Sequence, residues 1–292
     1  MWALIHSSFV KSQLLRVILV PGVVAGLTVM SSRFLAAGAP WLWRGLAGLS
    51  VPAAFLASYF AVYRDLTFPP ATVLSWVPWF VVALAVATPL ARRIGAAFMV
   101  IALPILVAAI ATAVLLWPIL GRDPPFVAVP LWAAAAAVWS TLWVISGVRD
   151  VGRWPFAAVS LIASAGLAVV APLSGSILLG ELAAALAVAL VATVILAGFS
   201  GTPGLSDAGR ATTAFVLGAL ALDLRFYAGA GAGIIVAFVA SLTVGFATSV
   251  AIRRYPFKQP WPVLAPAIAA SIPVVVAVGI AFRASHMGGG GY

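Results

Sequence analysis

The chain has no cysteine, and only two histidines and two lysines. The first absence removes disulfides, thiolate metal sites and cysteine nucleophiles. His6 and His286 lie outside every long apolar run. That excludes a bilayer haem held by two histidines, a His-based zinc site and a histidine general base within the membrane. Lys11 and Lys258 are not in the middle of any such run, so a retinal-type Schiff base is excluded too. There is no His-Glu-x-x-His, no Gly-x-x-x-x-Gly-Lys-Ser/Thr and no paired aspartate motif. Ser174-Gly175-Ser176 has no histidine or suitable lysine to activate a hydroxyl and reads as a turn. No cofactor and no metal site are expected. An enzyme is disfavoured, although arginines and carboxylates alone can handle a phosphate or a proton.

Charge is also scarce. Charged residues make up 8% of the 292, against about a quarter in soluble domains. Hydrophobic residues make up 64%, the mean hydropathy is +1.19, and no polar segment exceeds a short loop. The expected fold is an all-α polytopic membrane protein, a single integral membrane domain over 1–292. The net charge of +10 is assigned to topology and to anionic headgroups. Nucleic acid is not an expected partner, since no basic block exceeds three residues in a six-residue window. The richness in Ala, Val, Leu, Gly and Arg suggests a bacterial chain, and with it a plasma-membrane address. The expected partners are the lipid bilayer and, in one reading, other membrane subunits.

A membrane helix needs about 20 apolar residues. On that basis ten spans are expected, near 14–32, 46–63, 73–90, 94–120, 126–148, 154–171, 176–199, 207–224, 229–252 and 263–282. The first imitates a signal peptide, but Arg33 between its apolar core and Ala37-Gly38-Ala39 argues against cleavage. Pro104 is a candidate kink in the long fourth span. Trp139 and Trp143 are placed deeper than the interfacial tryptophans. Ser206 or Asp207 is a plausible helix N-cap. Gly229 and Gly233 form a Gly-x-x-x-Gly that reads as close helix packing.

The run Ala211 to Ile252 organises the rest. Its forty-two residues carry only Asp223 and Arg225 as charges. One helix of that length would rise about 63 Å, twice the hydrocarbon thickness. The run is therefore split in two, and Asp223 and Arg225 are expected at the turn between the halves.

Alternating the loops gives six Lys and Arg on one face and ten on the other. The positive-inside rule places the ten-charge face in the cytoplasm and both termini outside. Asp65, Asp123 and Glu181 are fifty-eight residues apart, each near the start of an odd-numbered span on the outer face, and Asp223 occupies the matching place before span nine. An acid at a helix N-terminus complements the helix dipole. The alternative is a degenerate hairpin repeat whose acids ring a polar entrance. Glu181 is the foremost functional candidate, as the one acid inside an otherwise apolar span, suited to proton or cation coupling. Asp223, Arg225, Asp65 and Asp123 complete the candidate set.

Two functions fit. Ten short-looped spans in about 300 residues are similar in size to drug/metabolite-type transporters built from two five-helix halves, though none of their sequence signatures is present. A small-solute permease or exporter is therefore the first reading. A non-catalytic membrane subunit or assembly factor of a larger complex is the alternative.

Overall fold

The computed structural model describes residues 15–36, 48–63, 70, 72–95, 98–147, 151–200, 205–254 and 260–288. Among them the chain forms ten helices and no strand. They are α1 (Val20–Ala36), α2 (Ser50–Tyr63), α3 (Val77–Ile94), α4 (Leu103–Leu120), α5 (Pro125–Gly147), α6 (Arg153–Leu173), α7 (Ile177–Ser200), α8 (Asp207–Phe226), α9 (Ala232–Arg253) and α10 (Trp261–Gly288). Eight helices are long and apolar enough to cross a membrane; α2 is shorter, and α8 carries four charged residues. The protein is an all-α polytopic membrane protein.

Local breaks follow the prolines. A π-helical turn, Leu15–Leu19, leads into α1 just before Pro21, and another, Phe98–Ala102, leads into α4 just before Pro104. Proline has no N–H and its ring crowds the carbonyl four residues back, so the hydrogen-bond register widens there. Reversals are tight. Between α6 and α7, Ser174 N donates to Val170 O (3.0 Å) and Ser176 N donates to Ala171 O (2.9 Å). Gly175 at φ +92° supplies the left-handed residue that this turn requires. At 28 residues, α10 rises about 42 Å, longer than the hydrocarbon layer. It extends past its expected end, so His286 sits in an exposed last turn, edge-on to Phe282.

The interior is apolar, with Phe55, Leu115 and Phe215 fully buried, and the outside is apolar too. Large apolar residues face outward, for example Leu27 on α1, Phe126 on α5 and Ile272 and Val275 on α10. Buried polar residues include Ser58, Thr88, Thr112, Ser164 and Thr213. Each of these hydroxyls donates to the carbonyl four residues back, at 2.6 to 2.9 Å, so the interior carries polarity at little cost. Longer-range bonds tie helices together: Ser241 Oγ donates to Ala270 O (2.7 Å) between α9 and α10, and Trp132 Nε1 donates to Ala109 O (3.0 Å) between α5 and α4.

At the centre is α8, which packs against α2 through α7 and against α9. It starts at Ser206, whose Oγ accepts from Gly209 N (3.0 Å) and donates to Gly48 O (2.7 Å). The most charged helix of the bundle is thus its core, with α1 and α10 at the periphery.

Candidate functional site

The two ends of α8 carry different chemistry. At its start, Arg210 Nη2 donates to Val151 O (3.2 Å), and its guanidinium lies 4.9 Å from the centroid of the Phe156 ring. Asp207, Arg153 and Arg253 act on it electrostatically, so charges from α6, α8 and α9 gather round Arg210. Phe156 stacks on Phe246 at 5.7 Å between centroids.

At its other end, α8 runs through both Asp223 and Arg225, and the turn begins only at Tyr227. The pair thus lies in the last helical turn, directly before the turn that divides the run. The helix ends when Tyr227 N (2.9 Å) and Ala228 N (3.1 Å) donate to Asp223 O, and Gly229 takes φ +69°. Gly229 therefore lies outside α9, and the Gly-x-x-x-Gly is not a helix-packing motif. Arg225 Nη1 donates to Ala230 O (3.1 Å), which holds the guanidinium at the exposed turn. Residues at i and i+2 point apart on a helix, and here Asp223 points into the bundle.

Asp223 is 2% exposed, and neither carboxylate oxygen has a hydrogen-bond partner among the described residues. No charged group among the described residues offsets its burial. An isolated polar group in such a place is costly, and inside a membrane bundle it marks an ion or substrate pathway by default. Beside it, Tyr227 donates its hydroxyl to Leu115 O (2.7 Å) and ties the turn to α4. Burial, and then the nearby Asp223 charge, push the Tyr227 phenol up, with Arg122 opposing. At the same end of the bundle, a crevice of about 450 Å³ opens between the chain leading into α3 and α4, lined by Thr72, Val73, Trp76, Val114 and Trp117 among others.

The other candidates are dispersed. Glu181 lies half-buried in the second turn of α7, where Arg16 acts on it from the chain leading into α1. Asp123 is half-buried in the turn after α4, its N–H bonded to Ile119 O (3.3 Å). Asp65 lies outside the described residues. No metal-holding group of three His, Cys, Asp or Glu residues occurs among the described residues.

Sequence reasoning missed Tyr227, the Leu115 carbonyl it binds, and the depth of Asp223. The one signal available was the polarity of α8 itself, with Thr212 and Thr213 buried inside it. Trp139 and Trp143 are buried, at 4% and 5% exposure. Trp139 Nε1 donates to Ala214 O (3.2 Å), and its indole crosses α8 at Gly218, where an added Cβ would overlap the ring. No family model, no curated protein and no solved structure matches this chain, so the site is read from its own residues alone.

Proposed function

We propose that the protein is an ion-coupled permease or exporter of a small solute, with Asp223 as the carboxylate that takes up the coupling proton or cation. One observation carries this reading: a carboxylate with neither hydrogen-bond partner nor counter-charge among the described residues, buried on the helix that most of the bundle packs against. Such a group needs a proton or a cation to remain there, and a buried site that loads and empties an ion is what coupled transport requires. Two features lie nearby: the crevice beside α4, whose lining includes Val114 and Trp117 on either side of Leu115, and the Tyr227 to Leu115 bond, which ties the turn after Asp223 to α4.

The reading is tested in proteoliposomes of the purified full chain, with a pH dye inside and imposed proton, sodium or potassium gradients, against a panel of small solutes. Wild-type protein is expected to couple at least one solute to one gradient, and Asp223→Asn to lose that coupling. If wild-type and Asp223→Asn vesicles behave identically for every solute and gradient, the reading is wrong.

A further inference from the structure

Behind Asp223, on the opposite side of the same helical turn, α8 forms one wall of a second feature. A groove of about 330 Å³ lies between α5, α8 and α9, at the lower end of the 300–1,000 Å³ typical of ligand sites. It is lined from Leu131 to Trp143 on α5, from Ala214 to Phe226 on α8, and from Ala232 to Phe246 on α9. At 1.5 Å per residue these stretches span about 18, 18 and 21 Å, so the groove runs lengthwise along more than half the hydrocarbon layer.

Its sequence explains its shape. Alanines 134, 135, 214 and 221, with Gly218, keep the walls thin, and Trp139 lies across Gly218. The stacked pair Phe156 and Phe246 lines one end. Val138 and Val236, both lining residues, are 46% and 66% exposed, so the groove faces the lipid.

The polar content is confined to the other end. Arg225 is the only charged residue among those that line the groove, and no acid is among them. A guanidinium has five N–H donors; the structure gives Arg225 one hydrogen bond, to Ala230 O, and a Phe226 ring 5.9 Å away. An apolar channel closed by aromatics at one end and open at a lone cation matches a molecule with an anionic head and an apolar tail. The lining on α8 extends about 18 Å from the Phe226 turn to the Ala214 turn, a length that suits one extended tail lying along the helix. The lone guanidinium fork suits a singly charged carboxylate.

We propose that the α5/α8/α9 groove binds a single-chain amphiphilic carboxylate of the fatty-acid type, its head on Arg225 and its tail running towards Phe156 and Phe246. This assignment is independent of ion coupling: Asp223 does not line the groove, and binding is read without transport.

The test uses the purified full chain in nanodiscs of zwitterionic lipid. The probes are a tail-brominated fatty acid of about twelve carbons, to match that length, and the alcohol of the same chain. Quenching of tryptophan fluorescence reports occupancy, and a Trp139→Phe, Trp143→Phe variant identifies the groove's share of the signal. The acid is expected to half-saturate at about tenfold lower concentration than the alcohol, as one charge-assisted contact warrants. Arg225→Gln, at an exposed position, should abolish that preference. Ala221→Trp fills the groove from α8 and should abolish binding of both probes; Val236→Trp fills it from the exposed α9 wall should the first variant fail to fold. Equal binding of acid and alcohol, an unchanged preference in Arg225→Gln, undiminished binding in both filled variants, or equal competition by a two-chain anionic phospholipid overturns the proposal.

Discussion

Replacing Asp223 with leucine should stabilise the protein while disabling it. Aspartate and leucine have the same number of side-chain heavy atoms and the same branching, but methyl groups are bulkier than carboxylate oxygens, so the exchange removes the polarity and adds some volume. The carboxylate is 2% exposed and neither oxygen has a partner among the described residues. A buried polar group left unsatisfied costs about 1–3 kcal/mol, and leucine recovers that cost with no hydrogen bond lost. For a chain of this size each kcal/mol moves the melting temperature by about 2–4 °C, so Asp223→Leu should melt about 2–12 °C higher. Asp223→Asn keeps the shape and most of the polarity, and should stay within about 1 kcal/mol of wild type. Both variants should lose ion-coupled flux, the pattern expected when a destabilising group is kept for function. The assay is a thermal melt in mild detergent followed by intrinsic tryptophan fluorescence, run alongside the proteoliposome measurement. Lower melting temperatures for both Asp223→Leu and Asp223→Asn, the second of which adds no volume, would show that the carboxylate is bonded in the native state, and the reasoning that makes it an ion site would fall.

Two further substitutions probe what holds α8 in place. An exposed mid-helix Gly→Ala change stabilises by about 0.5–1 kcal/mol, but at Gly218 the new methyl overlaps the Trp139 indole. Gly218→Ala should therefore destabilise by about 1–3 kcal/mol through overpacking and lower the melting temperature; a rise would refute the close approach. Ser206→Ala removes the N-cap of α8 together with the bond to Gly48 O, at a cost of about 0.5–2 kcal/mol in chemical unfolding. Ser206→Asp keeps the cap without the donor and should lose less, so an equal loss would show that the cap contributes nothing.

Much of the fold is legible in the sequence because a membrane helix announces itself by length and apolarity alone. The cap at Ser206, the depth of Trp139 and Trp143, and the uncharged turn at Leu173 to Gly175 follow from the residues that stand there. The candidate site is legible only in part. Asp223 is visible as a charge in an apolar run, and length arithmetic places it beside the turn that divides the run. It does not tell which way a side chain in the last helical turn points, and here the helix sends the carboxylate into the bundle. Glu181 drew more attention because its span is otherwise apolar, yet it lies half-buried near Arg16. The Gly229 and Gly233 pair matched a packing pattern in spacing while its first member formed the turn.

The sequence by itself determined that the chain is a series of apolar helical segments, and which chemistries are disfavoured without cysteine and with histidine and lysine so rare. The tertiary structure alone decided which face of each helix looks inward. In water, polarity marks the outside of a helix and hydrophobicity the inside. In a bilayer the tails are as apolar as the core, so both faces of most helices read alike and hydropathy carries no direction. Only packing places the most charged helix at the centre, sends Asp223 into the bundle and leaves Arg225 at the mouth of a groove on the other side.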